Sequence, residues 1–407
     1  MNFIKNYFQL DKYKTSIKVE LTAGLTTFIS MSYILFVNPS VLGASGMNTG
    51  AVFTATALAA ALGTAIMGIV ANYPIGEAPA LGINAFFSYT VCIGMHVKWQ
   101  TALASVFVAS IRIGLFIAFL GLQNGKLIVA NKSTLVGLGS LHDPLVWITI
   151  FGLLVTVILM ILNVPGAIFI GMVLAAVFGI CTGQIALPHK IISTAPSLAP
   201  TFGQAVFHVK DINTVQMWIV VLTFLIVTFF DTAGTLIGLA QQAGFMKNNK
   251  MPRVGKALAA NSSAMAVGSI LGTSPVGAFV ESSAGIAVGG RTGLTAVFVA
   301  IFFLISMIFS PLLGVFTVQV TAPALIIVGV LMAQNTAHIH WNKLEIAVPA
   351  FLIILGMPLT YSISDGLSWG MITYPICMIA AKRGKEVTPM MWLLFVIFLI
   401  FLWVLNF

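Results

Sequence analysis

The chain has 407 residues, of which 59% are hydrophobic and 7% are charged, and its formal net charge is +9. Because a soluble domain carries about 25% charged residues, this composition excludes a soluble globular protein and indicates an integral membrane protein. A span needs about 20 apolar residues, so the length allows roughly twelve to fourteen helices and no sizeable soluble domain. The basic residues lie in short loops, where they set orientation and do not indicate nucleic-acid binding.

Residues 1–20 form a polar lead-in that contains four lysines and lacks the pattern of a cleavable signal peptide. The positive-inside rule therefore predicts a cytoplasmic N-terminus. The first two apolar runs follow at 21–42 and 51–70. The second is dense in alanine, glycine and threonine, the small residues that let membrane helices pack closely.

The third apolar run, Pro74–Gly94, is interrupted by prolines and glycines and carries Glu77 and Asn84. Glu77 is ambiguous, since a carboxylate at this point could lie at the membrane interface. Asn84 could offer a donor and an acceptor to a planar polar ligand, or it could cap the helix at the break. Phe86 could stack on a flat ring, although most phenylalanines in such a chain face lipid or the core.

The fourth run, Trp99–Leu122, contains Arg112 between apolar neighbours, which is an awkward position in a lipid-facing helix. Residues 123–143 are polar and predict a loop. Two further spans are predicted at 146–162 and 168–187, and they complete the first half of the chain.

The second half opens with the apolar run Val215–Ala240, in which Asp231 follows a nearly unbroken apolar stretch. Thr235 and the glycine before it can supply a hydrogen bond and close backbone approach to a ligand. The basic loops 247–256 and 382–386 predict cytoplasmic segments.

The segment Thr273–Gly293 is too rich in glycine, and too interrupted by Pro275, for an ordinary membrane helix, and it carries Glu281. An ionisable residue at membrane depth indicates a functional site, and irregular backbone there is tolerated only inside protein or along a cavity. Paired broken segments are typical of an inverted-repeat transporter with a midplane site. We predict that Asp231 and Glu281 face one cavity; the alternative is a structural polar contact between helices.

Signatures of other chemistries are absent from the sequence. The chain has no P-loop, no zinc-protease or nucleophile-elbow motif and no dinucleotide fingerprint. Its three cysteines and six histidines show no metal-ligand spacing. We therefore predict no enzyme activity, no cofactor and no metal, and an ion or proton gradient as energy source. Asp231 or Glu281 would take the proton, because a low dielectric favours the neutral carboxyl.

Several long stretches resemble one transporter family. They are VELTAGLTTFISMSYILFVNP (Val19–Pro39), GAVFTATALAAALGTAIMG (Gly50–Gly68), ALGINAFFSYTV (Ala80–Val91), FFDTAGTLIG (Phe229–Gly238), ESSAGIAVGGRTGLT (Glu281–Thr295) and VPAFLIILGMPLTYSISDG (Val348–Gly366). The chain resembles the AzgA-type purine permeases, a branch of the nucleobase–cation symporter group with the uracil-permease fold. The resemblance runs nearly end to end, with the motifs in the family's order.

The resemblance implies an all-α polytopic membrane protein built of seven-plus-seven inverted repeats, with a core domain and a gate domain. Two broken helices would each carry a short strand and cross at the substrate site. We expect a single transporter domain over 1–407, with a first repeat at about 17–190 and a second at about 215–381. An extra C-terminal helix is expected at about 389–407.

The resemblance also implies uptake of adenine, guanine or hypoxanthine with a proton at the plasma membrane. The family's binding asparagine, aspartate and glutamate fall on Asn84, Asp231 and Glu281, and Phe86 and Thr235 complete the expected site. A carboxylate can accept two purine N–H groups, and an amide suits the mixed donor–acceptor edge. Sodium in place of the proton, and a homodimer, are alternatives that the sequence leaves open.

One departure from the family pattern lies after Ser110, where FVASI joins RIGLFIAFLGLQNG directly. About one span with its loop is expected to be absent here, which leaves about 13–14 spans. Loss of one span reverses the orientation of everything after it, unless another segment re-inserts. Two alternatives therefore stay open: a xanthine or uracil carrier of the same fold, and an internally deleted membrane protein that does not transport.

Overall fold

The computed structural model describes residues 2–80, 84, 87–88, 91–92, 98–99, 114–131, 135–188, 190–246, 251–333, 339–360 and 363–405. This part of the chain is predominantly helical, with two short pairs of strands. The helices are α1 Asn2–Phe8, α2 Ile17–Met31, α3 Ile34–Gly43, α4 Thr49–Ile66, α5 Gly114–Asn124, α6 Pro144–Ile161, α7 Ala167–Cys181, α8 Gln204–Phe207, α9 Val215–Gln242, α10 Val254–Leu271, α11 Ser282–Val288, α12 Gly293–Ser306, α13 Val318–Ala333, α14 Leu344–Thr360, α15 Ile363–Ala380 and α16 Pro389–Leu405. The strands are β1 Glu77–Pro79, β2 Ile128–Asn131, β3 Leu135–Leu138 and β4 Val276–Ala278.

The first apolar run forms two helices, α2 and α3, that meet at Ser32 and Tyr33. Helix α2 begins after Ser16, whose hydroxyl accepts a hydrogen bond from the backbone of Val19, the usual role of an N-cap serine. Both junction residues keep helical backbone angles, so the chain stays coiled through the break. The junction places the ring of Tyr33 in the interior, where it is 1% exposed.

The two broken segments meet through strands β1 and β4. They pair antiparallel, with Glu77 opposite Ala278, Ala78 opposite Gly277 and Pro79 opposite Val276. The register brings residues of the two halves of the chain side by side at the centre of the molecule. Each broken segment therefore contains a short strand, as the family resemblance implies.

Helices surround the strand pair closely because small residues line their contacts. Helix α12 packs on α2 and α4, α10 packs on α4, and α11 packs on α2. Gly293 at the start of α12 meets Gly68, and a Cβ atom on Gly293 would lie 1.9 Å from the carbonyl oxygen of Gly68. Any side chain at Gly293 would push α12 away from the helical turn that contains Gly68, since packed interiors do not give by that amount.

A second group of helices packs mainly within itself. Helix α13 lies against α5, α6 and α7, while α14 contacts α5 and α15, and α15 contacts α16. The predicted core and gate domains and the two repeats, 17–190 and 215–381, stay predictions. Residues 100–113 lie outside the described part, and with them Arg112 and the point of the expected missing span.

The polar stretch 123–143 was expected to be a loop, but it contains an antiparallel pair of strands, β2 and β3. Asp143 caps α6 by accepting from the backbone of Leu145, and it also forms an ion pair with Lys126 at 2.7 Å. The hydrogen bond from Lys126 lowers the pKa of Asp143 below its ordinary value. The prediction missed the strands because they are only four residues long, IVAN and LVGL, and too short to carry a periodic signal.

Four helices in the described part are long and apolar enough to cross a membrane, judged by length and composition. They are Ile17–Gly43, which joins α2 and α3, together with Thr49–Ala71, Pro144–Ile161 and Gly293–Gly314. Five shorter apolar helices accompany them among the described residues. The predicted total of 13–14 spans stays a prediction.

Candidate functional site

Glu281 lies where strand β4 gives way to the half-helix α11. It occupies the N-cap position of this seven-residue helix, which ends at Gly289 with a left-handed backbone. Its carboxylate accepts a 2.6 Å hydrogen bond from the hydroxyl of Tyr33. A carboxylate has about four lone-pair sites, and this one is only partly buried, so it can accept further N–H donors.

Tyr33 is a site residue that the sequence analysis did not identify. It is separated from Glu281 by 248 residues and reaches it from the break between α2 and α3. Its ring also faces Phe279, with ring centroids 6.4 Å apart. The only sequence signal was an aromatic hydroxyl within an apolar run, which is too common to single out.

Asn84 is fully buried and belongs to a network that joins both broken segments. Its amide nitrogen donates to Asn38 on α3 at 2.5 Å. The amide nitrogen of Asn38 in turn donates to Thr56 at 2.6 Å and to Thr273 at 2.8 Å. The carbonyl oxygen of Asn84 is buried and has no hydrogen-bond partner among the described residues.

The other predicted site residues are described to different degrees. Asp231 lies on α9, which packs on β4 and on α11 and so runs beside the segment of Glu281; the side chain of Asp231 is outside the described part. Thr235 follows one turn later on α9 and is partly buried. Phe86 lies outside the described residues. Whether Asp231 and Glu281 share a cavity stays a prediction.

Glu77 lies inside the protein and does not reach its surface. It is 0% exposed on strand β1. Its backbone is held by Thr64, whose hydroxyl accepts from the N–H of Glu77 at 2.8 Å and donates to its carbonyl at 2.9 Å. In the described part of the chain, neither carboxyl oxygen has a hydrogen-bond partner.

A third buried acid, Glu20 on α2, was overlooked because it stands at the end of the basic lead-in. Its carboxylate accepts from the backbone N–H groups of Arg291, Thr292 and Thr295 at 3.1, 3.3 and 3.2 Å. The hydroxyl of Thr295 donates to it as well, at 2.5 Å. These donors lie at the start of α12, where the helix dipole also favours a negative charge.

The amino-acid sequence matches a family of known proteins. The Xan_ur_permease model of the Permease family matches residues 18–112 and 110–368. The chain belongs to the Permease family. The two matched pieces of this permease meet at residues 110–112, the point at which the sequence analysis places a missing segment.

Individual relatives cover nearly the whole chain. The guanine/hypoxanthine permease PbuG of Bacillus subtilis is 50% identical over 435 residues, covering 98% of this chain and 99% of PbuG. PbuO of the same organism, also a guanine/hypoxanthine permease, is 44% identical over 98% of this chain and 100% of its own length. The adenine permease AdeP of Escherichia coli is 37% identical, covering 98% of this chain and 96% of AdeP. The alignment with PbuG is longer than the 407 residues of this chain, so PbuG carries residues with no counterpart here.

The fold is shared with more distant transporters. The transmembrane domain of the cyanobacterial bicarbonate transporter BicA superposes with a TM-score of 0.55 at 14% identity, covering 89% of this chain and 97% of that domain. Such low identity speaks for the fold alone. The chain is an integral membrane protein with a helical transporter fold, and the predicted family relationship is confirmed. As a member of a permease family it is a transporter and not an enzyme.

Proposed function

We propose that this chain imports purine nucleobases (guanine, hypoxanthine and adenine) across the plasma membrane by proton symport. The names of the relatives PbuG, PbuO and AdeP support purines as the substrate class. The site supports the same class, because a purine edge presents N–H donors beside ring-nitrogen acceptors. Carboxylates and amides in a low-dielectric site suit such an edge well.

The single observation that carries the proposal is the placement of Glu281. Its carboxylate stands at the break of the second broken segment, where it accepts from Tyr33, whose ring lies beside that of Phe279. Two purine N–H groups would donate to this carboxylate, while a flat ring would lie against the aromatic side chains. The free carbonyl oxygen of Asn84 would accept one further N–H from the base.

The remaining predicted residues complete the proposed site. Asp231 would supply a second carboxylate from α9, Thr235 would add a hydroxyl, and Phe86 would stack on the base. Alternating access would follow from movement of a core domain past a gate domain, as in inverted-repeat transporters. The N-terminus would face the cytoplasm, and association as a homodimer is compatible with this scheme.

Uptake of labelled hypoxanthine tests the proposal in cells that lack their own purine carriers. The unmodified chain should show saturable uptake that unlabelled guanine and adenine compete with and that a protonophore abolishes. Glu281→Gln should lower the uptake about tenfold or more, because a charged hydrogen bond is worth about 1.5–3 kcal/mol. Glu386→Gln removes an exposed carboxylate far along the chain and serves as the matched control.

Several outcomes would overturn parts of the proposal. Absence of uptake by the unmodified chain at verified membrane levels would favour the internally deleted, non-transporting protein. Competition by uracil or xanthine but not by guanine would favour the pyrimidine or xanthine carrier. Uptake that depends on sodium and survives the protonophore would replace the proton by sodium.

A further inference from the structure

We propose that Glu77 on strand β1 is a proton-binding site, separate from the purine-binding carboxylate Glu281, and that it carries the symported proton. This inference rests on the proposed purine transport and assigns its coupling step to one residue. The site takes a proton and no larger cation.

Apolar side chains lie beside the carboxyl group of Glu77. Oε2 of Glu77 lies 3.0 Å from the point where a Cβ atom on Gly63 would stand. The side chains of Ala264 and Val276 contact the same point, at 2.8 and 3.2 Å. The carboxyl group therefore lies among apolar atoms of α4, α10 and β4, with the absent side chain of Gly63 making room for it.

The described elements around Glu77 place no balancing charge beside it. The elements packed against β1 are α3, α4, α10 and β4. Their only charged residue is Lys256, which is exposed and lies more than two helical turns before Ala264. Helix α9, which packs on β4, carries the acid Asp231, whose side chain lies outside the described part.

Electrostatics then determines the charge state of the Glu77 carboxyl group. An ionised carboxylate that is removed from water without a partner is far more costly than a neutral carboxylic acid, and it takes up a proton instead. Both oxygens of Glu77 lack a partner in the described part of the protein. In the conformation of this structure Glu77 is therefore neutral and carries one proton.

A sodium ion does not fit this position. Hard cations in proteins are held by several oxygen ligands. The other two atoms nearest to the Gly63 position beside Oε2 are side-chain carbons of Ala264 and Val276, and neither carboxyl oxygen has a polar partner in the described part. The hydroxyl of Thr64 is already used by the backbone of Glu77.

The pairing of β1 with β4 links the proton on Glu77 to the purine at Glu281. Glu77 pairs with Ala278 across the strands, and Glu281 follows Ala278 by three residues. Three residues of extended chain span at most about 10 Å, and paired residues on neighbouring strands lie about 5 Å apart, so the backbones of Glu77 and Glu281 lie within about 15 Å of each other. Repulsion between two carboxylates about 15 Å apart corresponds to roughly a five- to tenfold change in affinity at an effective dielectric of 20.

The sign of the coupling is that of a symporter. A proton on Glu77 removes the repulsion and lets Glu281 stay ionised to accept the N–H groups of the purine. Proton and purine therefore bind cooperatively, and each raises the affinity for the other by the same factor. Because the strand pair belongs to both broken segments, the proton and the base would move together when the site changes its side of the membrane.

The test uses the purified full chain in liposomes, with labelled hypoxanthine as the probe. Counterflow, in which internal unlabelled hypoxanthine exchanges for external label, reports transport alone. A pH-sensitive dye inside the liposomes reports proton entry driven by a hypoxanthine gradient. The chains compared are the unmodified protein, Glu77→Gln and the exposed control Glu386→Gln.

The expected result is a separation of the two signals. Glu77→Gln should keep counterflow within about twofold, since its side chain is neutral like the protonated acid, but should lose the hypoxanthine-driven proton entry by at least about fivefold. Its hypoxanthine affinity should also stop falling as the pH rises. Glu386→Gln should behave as the unmodified chain in all three measurements.

The contrary results fall into distinct classes. Proton entry through Glu77→Gln equal to that of the unmodified chain would overturn the inference while leaving purine transport standing. Absence of counterflow in the unmodified chain would overturn the proposed function itself. If Glu77→Gln does not fold, proton uptake on adding hypoxanthine at alkaline pH is compared between the unmodified protein and Glu77→Leu: uptake by the unmodified protein alone supports the inference, and equal uptake by both, or uptake by neither, rejects it.

Discussion

Glu20 and Glu77 are two acids that are both 0% exposed, yet their surroundings are opposite. Glu20 accepts four hydrogen bonds from the start of α12. Glu77 accepts none in the described part of the chain. The fold therefore holds the carboxylate of Glu20 in place, whereas it directs no donor at the carboxyl group of Glu77 in the described part.

The comparison teaches that burial alone does not assign a role to a membrane carboxylate. What decides it is the number of donors that the fold directs at the oxygens. A fully bonded carboxylate fixes two helices to each other and gains nothing from a proton. An unbonded one changes its charge when its surroundings change, which is what a coupling site requires.

The largest expected effect is on the bonded member of the pair. Glu20→Ala removes the acceptor of four donors in a buried position, so we expect a loss of about 3–5 kcal/mol in the free energy of unfolding. The melting temperature in detergent would measure it. Glu20→Gln keeps one acceptor oxygen, so its melting temperature should lie between those of the unmodified chain and Glu20→Ala. An unchanged melting temperature for Glu20→Ala would contradict the anchoring role.

The opposite sign is expected at the unbonded member. Glu77→Leu replaces a carboxyl group that has no partner by an apolar group of similar size, so the protein should be as stable or gain up to about 1–3 kcal/mol. The same melting experiment measures this change. A loss as large as that of Glu20→Ala would show that Glu77 makes hydrogen bonds that support the fold.

A smaller effect is expected at Tyr33, the only donor to Glu281 from another element in the described part. Tyr33→Phe keeps the ring against Phe279 and removes the hydroxyl. The carboxylate loses its orientation, so the dissociation constant for hypoxanthine should rise by about tenfold or less. Equilibrium binding measures this constant. A lower dissociation constant for Tyr33→Phe than for the unmodified chain would mean that the hydroxyl competes with the purine.

The smallest effect concerns a fully accessible carboxylate. The hydrogen bond from Arg383 lowers the pKa of Glu386. A lowered pKa contributes stability above the unfolded value of about 4.3, and this contribution is lost as the pH falls through the lower folded value. The melting temperature of the unmodified chain should therefore drop slightly more on acidification in this window than that of Arg383→Gln. Equal drops in the two chains would mean that the ion pair does not contribute.

Much of the site was predictable because its backbone is unusual. Glycine and proline interruptions marked both broken segments, and an acid at membrane depth marked Glu281. The structure pairs the two segments through β1 and β4. Local composition is sufficient to predict the broken segments, because nearby glycines and prolines cause the irregular backbone.

The partners of these residues were not predictable from local patterns. Tyr33 reaches Glu281 across 248 residues, and Asn38 reaches Thr273 across 235. Glu20 looked like part of the polar lead-in, because its four donors come from residues 291–295, where α12 begins. Such contacts depend on the packing of helices that are distant in the chain, and single-residue chemistry carries no record of them.

The infrared spectrum of the carboxyl groups at neutral pH tests the central contrast most directly. A protonated carboxyl group has a carbonyl band that an ionised one lacks. The account predicts that this band is present in the unmodified protein, is lost in Glu77→Gln and is retained in Glu20→Gln. A band that survives in Glu77→Gln unchanged, or that disappears in Glu20→Gln, would contradict the assignment of the proton to Glu77.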